Sequence, residues 1–345
     1  MDFSIASILL VDGLTNGAIY ALLGMTTVLV FAVTRVIYLP QGEYVAFGAL
    51  TLGMLQLGQV PGTVWFLLLM AACAAVLDLV ADLRQRQSAV QILSRLLRTL
   101  AFPVAISALT IWIAPRQPSL LTQMLLTLAL VTPFGSLIYR LAYQSLANAS
   151  VLVLLIVSVG VHFALTGLGL YFFGAEGFRT PALWDEQMSL GSLLLSGQTI
   201  IIFLITVALI VLLWLFFEHT LRGKALRATA VNQLGARLMG ISTESAGKQS
   251  FTVAAFIGAL SGLLIGPTTT IFYDSGFLIG LKGFISAVFA GLSSYPMALL
   301  GAMLVGIIEA FSSFWASAFK EAIVFTFILP VLLWRSLRDP HTEED

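Results

Sequence analysis

Residues 196–240 read SGQTIIIFLITVALIVLLWLFFEHTLRGKALRATAVNQLGARLMG. From Ser196 to Phe217 there is no charged side chain, whereas Arg222, Lys224, Arg227 and Arg237 follow within a few turns. An uncharged apolar run of this length reads as a membrane-crossing helix, because about 20 apolar residues span the hydrocarbon core. The basic segment behind it reads as a cytoplasmic loop, the side on which Lys and Arg are retained.

The same alternation extends in both directions. Spans are expected at about 5–33, 39–58, 62–81, 97–115, 119–139, 149–173, 196–218, 248–272, 296–316 and 319–338. A shorter apolar piece at about 278–292 either crosses or re-enters. Counting it as a crossing puts the N-terminus outside and the C-terminus inside. Arg84, Arg86, Arg95, Arg98, Arg140, Arg222, Lys224, Arg227, Arg237, Arg335 and Arg338 then share the inner side with the remaining bases, and only Arg116, Arg179, Lys282 and Lys320 do not. A soluble protein has no reason to sort charge in this way.

Composition agrees. The chain is 59% hydrophobic and 10% charged, against roughly 25% charged in a soluble domain. Its formal net charge is zero, and its bases sit in short loops, so no nucleic-acid footprint is present. Cys73 is the sole cysteine, which excludes an intrachain disulfide, and its apolar surroundings suggest a small packed side chain. The expected fold is all-α: one polytopic bundle of about 10–11 spans over 1–345, with interrupted helices near 38–43 and 278–292. Its longest polar insertions are at about 82–96, 174–195 and 219–247. Gly13–Gly17, Gly258–Gly262 and Gly262–Gly266 have the four-residue spacing that lets helix backbones approach.

Four features are candidates for function. In Tyr38-Leu39-Pro40-Gln41-Gly42-Glu43 two apolar stretches meet with almost no loop. A helix that starts inside the bilayer there would present free N–H groups and a positive dipole end, as in transporters with broken helices. This makes Gln41, Gly42 and Glu43 candidates for a substrate path; the alternative is a surface turn with Glu43 capping the next helix. In 219–247, Arg222, Gly223, Lys224, Arg227, Ala228, Arg237 and Gly240 mark a basic segment on which Leu226, Leu234, Leu238 and Met239 form an apolar strip. It reads equally as a partner-docking helix or as a solvated loop held by lipid headgroups. Asp78, His162 and Glu309 are ionisable groups within spans, each costing ~3 kcal/mol or more if left unpaired in lipid. Glu309 is the most central, and Asp78, near a span end, is expected to be solvated. Finally, Phe277 to Phe284, with Gly291 to Pro296 behind it, reads as a second interrupted helix.

Catalytic motifs are absent. A P-loop would need glycine where Ser242 stands and Ser or Thr where Gln249 stands. His162, His219 and His341 have no metal-ligand spacing. Neither a nucleophile motif nor a cofactor motif is visible, so the chain is not expected to be an enzyme.

Several of these residues resemble the LIV-type (branched-chain amino acid) ABC transporter permeases. Gly13-Leu14-Thr15-Asn16-Gly17-Ala18-Ile19-Tyr20-Ala21-Leu22 resembles their first span. Gly42-Glu43 and Gly48-Ala49 match the element that follows, with Tyr38, Pro40 and Gln41 in place of the usual Asn, Ala and His. Arg140 to Tyr143, Gly223 to Gly240, and Gly306 to Glu309 with Ser312-Ser313 match later elements. The region at about 82–135 is longer than usual. The resemblance implies a permease subunit in a bacterial inner membrane. It also implies a second permease, homologous or identical, two cytoplasmic ATPase subunits and a periplasmic binding protein. The segment 223–240 would couple ATP hydrolysis to transport, and solute would pass near 40–43, with His162 and Glu309 as further candidates on the path. Branched-chain amino acids or a related small polar solute are the implied cargo. A urea, amide or aromatic-acid importer, and a stand-alone carrier or channel, are the alternatives.

Overall fold

A computed structural model describes residues 3–190 and 193–338. Along the chain, α1 (Phe3–Thr34) ends at Arg35, whose positive φ of 59° breaks the helix. A 3₁₀ turn (Leu39–Gly42) leads directly into α2 (Glu43–Gln56). Then follow α3 (Gly62–Arg84), α4 (Ala89–Ile113), α5 (Leu120–Ile138), a π-helical turn (Tyr139–Tyr143) and α6 (Val151–Phe173). A small antiparallel hairpin, β1 (Gln187–Leu190) and β2 (Leu193–Ser196), precedes α7 (Gly197–His219). The rest comprises α8 (Leu221–Val231), α9 (Gln233–Leu238), α10 (Thr243–Ile265), α11 (Ser275–Phe289), α12 (Tyr295–Trp315), α13 (Lys320–Thr326) and α14 (Ile328–Arg338).

Among the described residues, eight helices are long and apolar enough to cross a membrane. Their outer faces stay apolar: Leu204, Val207, Val211, Leu212 and Trp214 on α7, and Leu152, Ile156 and Phe163 on α6, are exposed. Apolar surface of that extent requires a lipid solvent, so the chain is a multi-pass membrane protein. At about 1.5 Å per residue, the 14 residues of α2 and 15 of α11 fall short of the ~30 Å core. The span expected at 39–58 is therefore the short helix α2 behind the break at 38–43, and the short piece expected at 278–292 is α11, which is itself continuous. Its breaks lie on either side, and the following turn carries Gly291 and Leu292 at φ 65° and 57°.

Two expectations change and a third is sharpened. The span at 319–338 is broken into α13 and α14, because the ring of Pro330 clashes with the carbonyl four residues back, at Thr326, where α13 ends. The helices on either side reach into the polar insertion at 82–96: α3 runs to Arg84 and α4 starts at Ala89 after a short turn, Ser88 and Gln91 cap each other reciprocally, and Asp82 pairs with Arg95. Cys73 is exposed on the outer face of α3 instead of packed. The terminal residues, His341 among them, lie outside the described set, as do the side chains of Arg335 and Arg338.

The chain divides into two compact units. The larger holds Leu29–Pro181 and Leu213–Gly280. At its centre α2 is buried on every face, and a helix apolar all round belongs in a core. Glycine makes this close packing possible. A Cβ on Gly48 would strike Ala259, and one on Gly262 would strike the Val45 carbonyl, so α2 and α10 meet backbone to backbone. One end of this unit gathers charge: Arg140 pairs with Asp78 and donates to Thr99, Gln144 donates to Glu244, and Arg237 to Asn148. Arg116 and Arg179 lie at the opposite end, where Gly58 meets Gln117 and Phe178 bridges Ile271.

In the smaller unit, the start of α1 packs on α12. A Cβ on Gly13 would lie 2.7 Å from the Ile307 Cα, and one on Gly17 3.0 Å from the Met303 Cα. The small-residue strip on α1 is therefore a helix interface. Val28, Ala287, Ala290 and Ala298 form a second apolar contact between α1, α11 and α12.

Candidate functional site

The break between α1 and α2 places three side chains in sequence order. Pro40 sits in the 3₁₀ turn, where a missing N–H costs nothing. Gln41 is buried and its Nε2 donates to the Ala254 carbonyl of α10 at 3.0 Å, which pins the turn. Gly42 lies where α11 begins: a Cβ there would strike the Gly276 carbonyl and come within 2.7 Å of the Gly280 nitrogen. Only glycine fits between these backbones. Glu43 is the first residue of α2 and is fully buried.

The Glu43 carboxylate does not serve as a cap. Its Oε1 lies 2.9 Å from His162 Nδ1 on α6, and its Oε2 has no hydrogen-bond partner among the described residues. Thr166 Oγ1 is 3.5 Å from the same histidine nitrogen, and the Phe277 ring covers the imidazole at 4.5 Å between centroids. The structure thus brings His162 to Glu43, 119 residues earlier in the sequence, beside Gln41 and Gly42. A buried carboxylate oxygen with no donor is costly. It also offers an acceptor for a cationic or hydrogen-bonding solute. Beside it, Tyr38 and Tyr44 share a hydroxyl hydrogen bond of 2.8 Å, and Phe251 and Tyr143 pack edge-on against Tyr38.

Glu309 belongs to the smaller unit and is already occupied. Its carboxylate accepts from Tyr20 Oη at 2.6 Å and from Lys282 Nζ at 2.6 Å, with Lys320 Nζ at 3.6 Å. Lys282 also donates to Glu321 at 3.1 Å. Two cations and two carboxylates balance, as a membrane interior demands, so this network joins α1, α11, α12 and α13. Sequence reading missed Tyr20, Lys282, Lys320 and Glu321 as its partners. The signal available was Lys282 itself, a lone cation inside a short apolar helix. Asp78 is also corrected: it is buried, pairs with Arg140 and accepts from Thr99 at 3.1 Å.

The segment 219–247, between α7 and the body of α10, carries the short helices α8 and α9. Thr220 caps α8 by accepting from Gly223 N at 2.9 Å, and Asn232 caps α9 by accepting from Gly235 N at 2.8 Å. Gly223 lacks a side chain because the Phe216 carbonyl and Phe217 Cα occupy that space. Gly240, at φ 79°, ends α9. Gln233 Nε2 donates to the Val33 carbonyl at 2.8 Å, tying α9 to the end of α1. Arg222, Lys224, Ala228 and Arg237 are exposed, and Arg227 pairs with Glu218. Leu226 is turned inward, away from the expected apolar strip, whereas Leu221, Val231, Leu234, Leu238 and Met239 are exposed.

Comparison with known proteins follows the same lines. A family model described as "Branched-chain amino acid transport system / permease component" matches residues 88–333. The chain is 29% identical over 213 residues to the high-affinity branched-chain amino acid transport system permease protein LivH of Escherichia coli (strain K12), covering 60% of this chain and 69% of that protein. It is 26% identical over 340 residues to the corresponding permease protein BraD of Pseudomonas aeruginosa, covering 94% and 92%. A probable LivH permease of Methanocaldococcus jannaschii is 26% identical over 204 residues, covering 56% and 65%. With eight apolar helices among the described residues and the family model spanning well over half its length, the chain belongs to the branched-chain amino acid transport permease family, a transport component and not an enzyme.

Proposed function

We propose that the chain is one permease subunit of an ATP-driven importer that carries branched-chain amino acids, or a related small polar solute, into the cytoplasm. The observation that carries this is the Glu43–His162 pair at the break before α2, in a chain of this family. Its buried carboxylate keeps one oxygen without a donor. Lipid cannot satisfy such a group, and the α-ammonium of an amino acid can. Gln41 and Gly42 shape the same place.

The partners follow from the family: a second LIV-type permease, identical or homologous, two cytoplasmic ATPases and a periplasmic binding protein. In this reading the exposed bases and apolar side chains of α8 and α9 form the surface that the ATPases engage. ATP-bound ATPases then select one permease state by differential affinity. Charge sorting puts that surface in the cytoplasm, with the N-terminus outside and the C-terminus inside a bacterial inner membrane.

A second reading concerns cargo alone. Tyr38, Pro40 and Gln41 depart from the family pattern immediately beside Glu43, and all three are buried in the turn that holds it. That change in lining favours a solute other than leucine, isoleucine or valine, such as a urea, an amide or an aromatic acid. The test for both is uptake of labelled branched-chain amino acids and of these competitors in cells carrying the whole system. Uptake that survives deletion of the ATPases would mark a stand-alone carrier and refute the importer.

A further inference from the structure

On the outer face of the larger unit, α4, α5 and α10 enclose a furrow of about 440 Å³. Phe102, Ala129, Pro133, Ser136, Thr252 and Phe256 are among its walls. This volume lies within the roughly 300–1,000 Å³ of small-molecule sites. Small residues on α5 leave the hollow, and Phe102 and Phe256 form its rims. Its hydroxyls are already satisfied within their own helices. Thr132 donates to the Leu128 carbonyl at 2.6 Å, Ser136 to Pro133 at 3.0 Å and Thr252 to Lys248 at 2.7 Å. The hollow therefore presents a largely hydrocarbon wall, between helices long and apolar enough to cross a membrane.

Toward the charged end of the unit, α4, the π-helical turn that continues α5, and α10 each carry a base. Arg98 is four residues from Phe102, Arg140 four from Ser136 and Lys248 four from Thr252. Residues four apart share a helix face, so the bases stand in line with the furrow at about 5.4 Å per turn. Two of the nearby cations are neutralised, Arg140 by Asp78 and Arg95 by Asp82. Arg98, exposed, and Lys248, half-buried, have no ion-pair partner among the described residues. With Asp78 and Asp82 engaged by Arg140 and Arg95, Glu244 is the one acid left near Arg98 and Lys248 among the described residues, so the mouth keeps a net positive charge.

We propose that the furrow holds an acyl chain of an anionic phospholipid whose phosphate lies against Arg98 and Lys248. A zwitterionic lipid fits the wall equally but not the charge, and a free phosphate fits the charge but has nothing to place in the hollow. Cations between membrane helices recognise anionic headgroups in this manner. The site is separate from Glu43 and His162 and does not depend on which solute is carried.

The test is native mass spectrometry of the full-length chain, with its co-purifying subunits, mixed with phosphatidylglycerol or phosphatidylcholine of equal chain length. The chain is expected to retain phosphatidylglycerol preferentially. Arg98→Gln with Lys248→Gln should lower that occupancy roughly 25-fold, from about fivefold for each juxtamembrane cation, and leave phosphatidylcholine unchanged. Ala129→Trp, which fills the hollow, should remove both lipids. Arg116→Gln, at the opposite end, should change neither. Equal retention of the two lipids by the unaltered chain overturns the proposal. So does undiminished phosphatidylglycerol in the double variant when its elution matches the parent. A disulfide between Phe102→Cys and a neighbouring subunit in membranes would show that a protein helix fills the furrow, and would overturn it also.

Discussion

Glu43→Gln separates a structural carboxylate from one that binds solute. The substitution keeps the volume of a fully buried side chain and keeps an oxygen that can accept from His162 at the observed 2.9 Å. It removes the negative charge, and with it the acceptor strength of Oε2, the oxygen that has no donor. A hydrogen bond to a charged group is worth about 1.5–3 kcal/mol, so apparent affinity for a cationic solute should fall about 10- to 150-fold. Glu43→Ala differs, because it also strips His162 of its partner and leaves a hole at the start of α2. It should lower thermal stability in detergent as well as transport. The assay is concentration-dependent uptake into vesicles holding the assembled system, with melting temperature measured on the same preparations. Unchanged half-saturation in Glu43→Gln at unchanged melting temperature would refute a solute contact and leave Glu43 a structural partner of His162.

Gly42→Ala should lower the melting temperature, since its Cβ would collide with the Gly276 carbonyl and the Gly280 nitrogen, neither of which is a side chain that can turn away; overpacking costs about 1–3 kcal/mol, and an unaltered melt would show that α2 and α11 can part freely. Asp78→Ala should cost about 3–5 kcal/mol by leaving Arg140 half-buried and unpaired, and Asp78→Ala with Arg140→Leu should recover part of it; a double variant no better than the single would argue against the pair. Arg227→Glu reverses an exposed charge and sets it beside Glu218. The exposed pair contributes at most about 1 kcal/mol to stability, so insertion should be unaffected while solute-stimulated ATPase activity of the assembled complex falls. Full stimulation would remove α8 from the coupling surface.

Eight of the expected spans were legible because a single rule, the length of a long apolar run with few charges, fixes each of them. Ser196 to Phe217 needs no tertiary knowledge. The shortfalls share a different cause. Residues 82–96 read only as a polar insertion because they are charged, yet Asp82 and Arg95 neutralise each other and Ser88 with Gln91 caps α4, so both helices reach into it around a short turn. Residues 319–338 look like a span because they are apolar, yet Pro330 ends the run at a backbone level that hydropathy does not register. Asp78 looked solvated from its position near a span end, because nothing local reveals Arg140, some sixty residues on. Leu226 looked exposed by helical spacing, but the backward fold of α8, made possible by Gly223 against Phe216, turns it inward.

Glu43 and Glu309 look alike in the sequence: each is a lone acid in an apolar helix beside a glycine-containing run. Their difference is one of saturation. Glu309 accepts from a phenol and a lysine, with a second lysine nearby, all contributed from other helices. Such a carboxylate is fully compensated, and replacing it would break a scaffold. Glu43 has one partner and one idle oxygen, in a turn whose backbone is crowded by Gly276 and anchored to Ala254. That turn costs the fold something to hold open, and the fold could have closed it with a lysine, as it does around Glu309. We propose that the oxygen left idle on Glu43, beside a Glu309 satisfied by the same chemistry, is the position where the solute donates. Supplying the missing donor within the chain gives the counter-test: Thr166→Lys places an ammonium one turn from His162, within reach of Glu43. It should stabilise the unit and abolish transport together, whereas a stabilised and fully active variant would mean that no solute uses that oxygen.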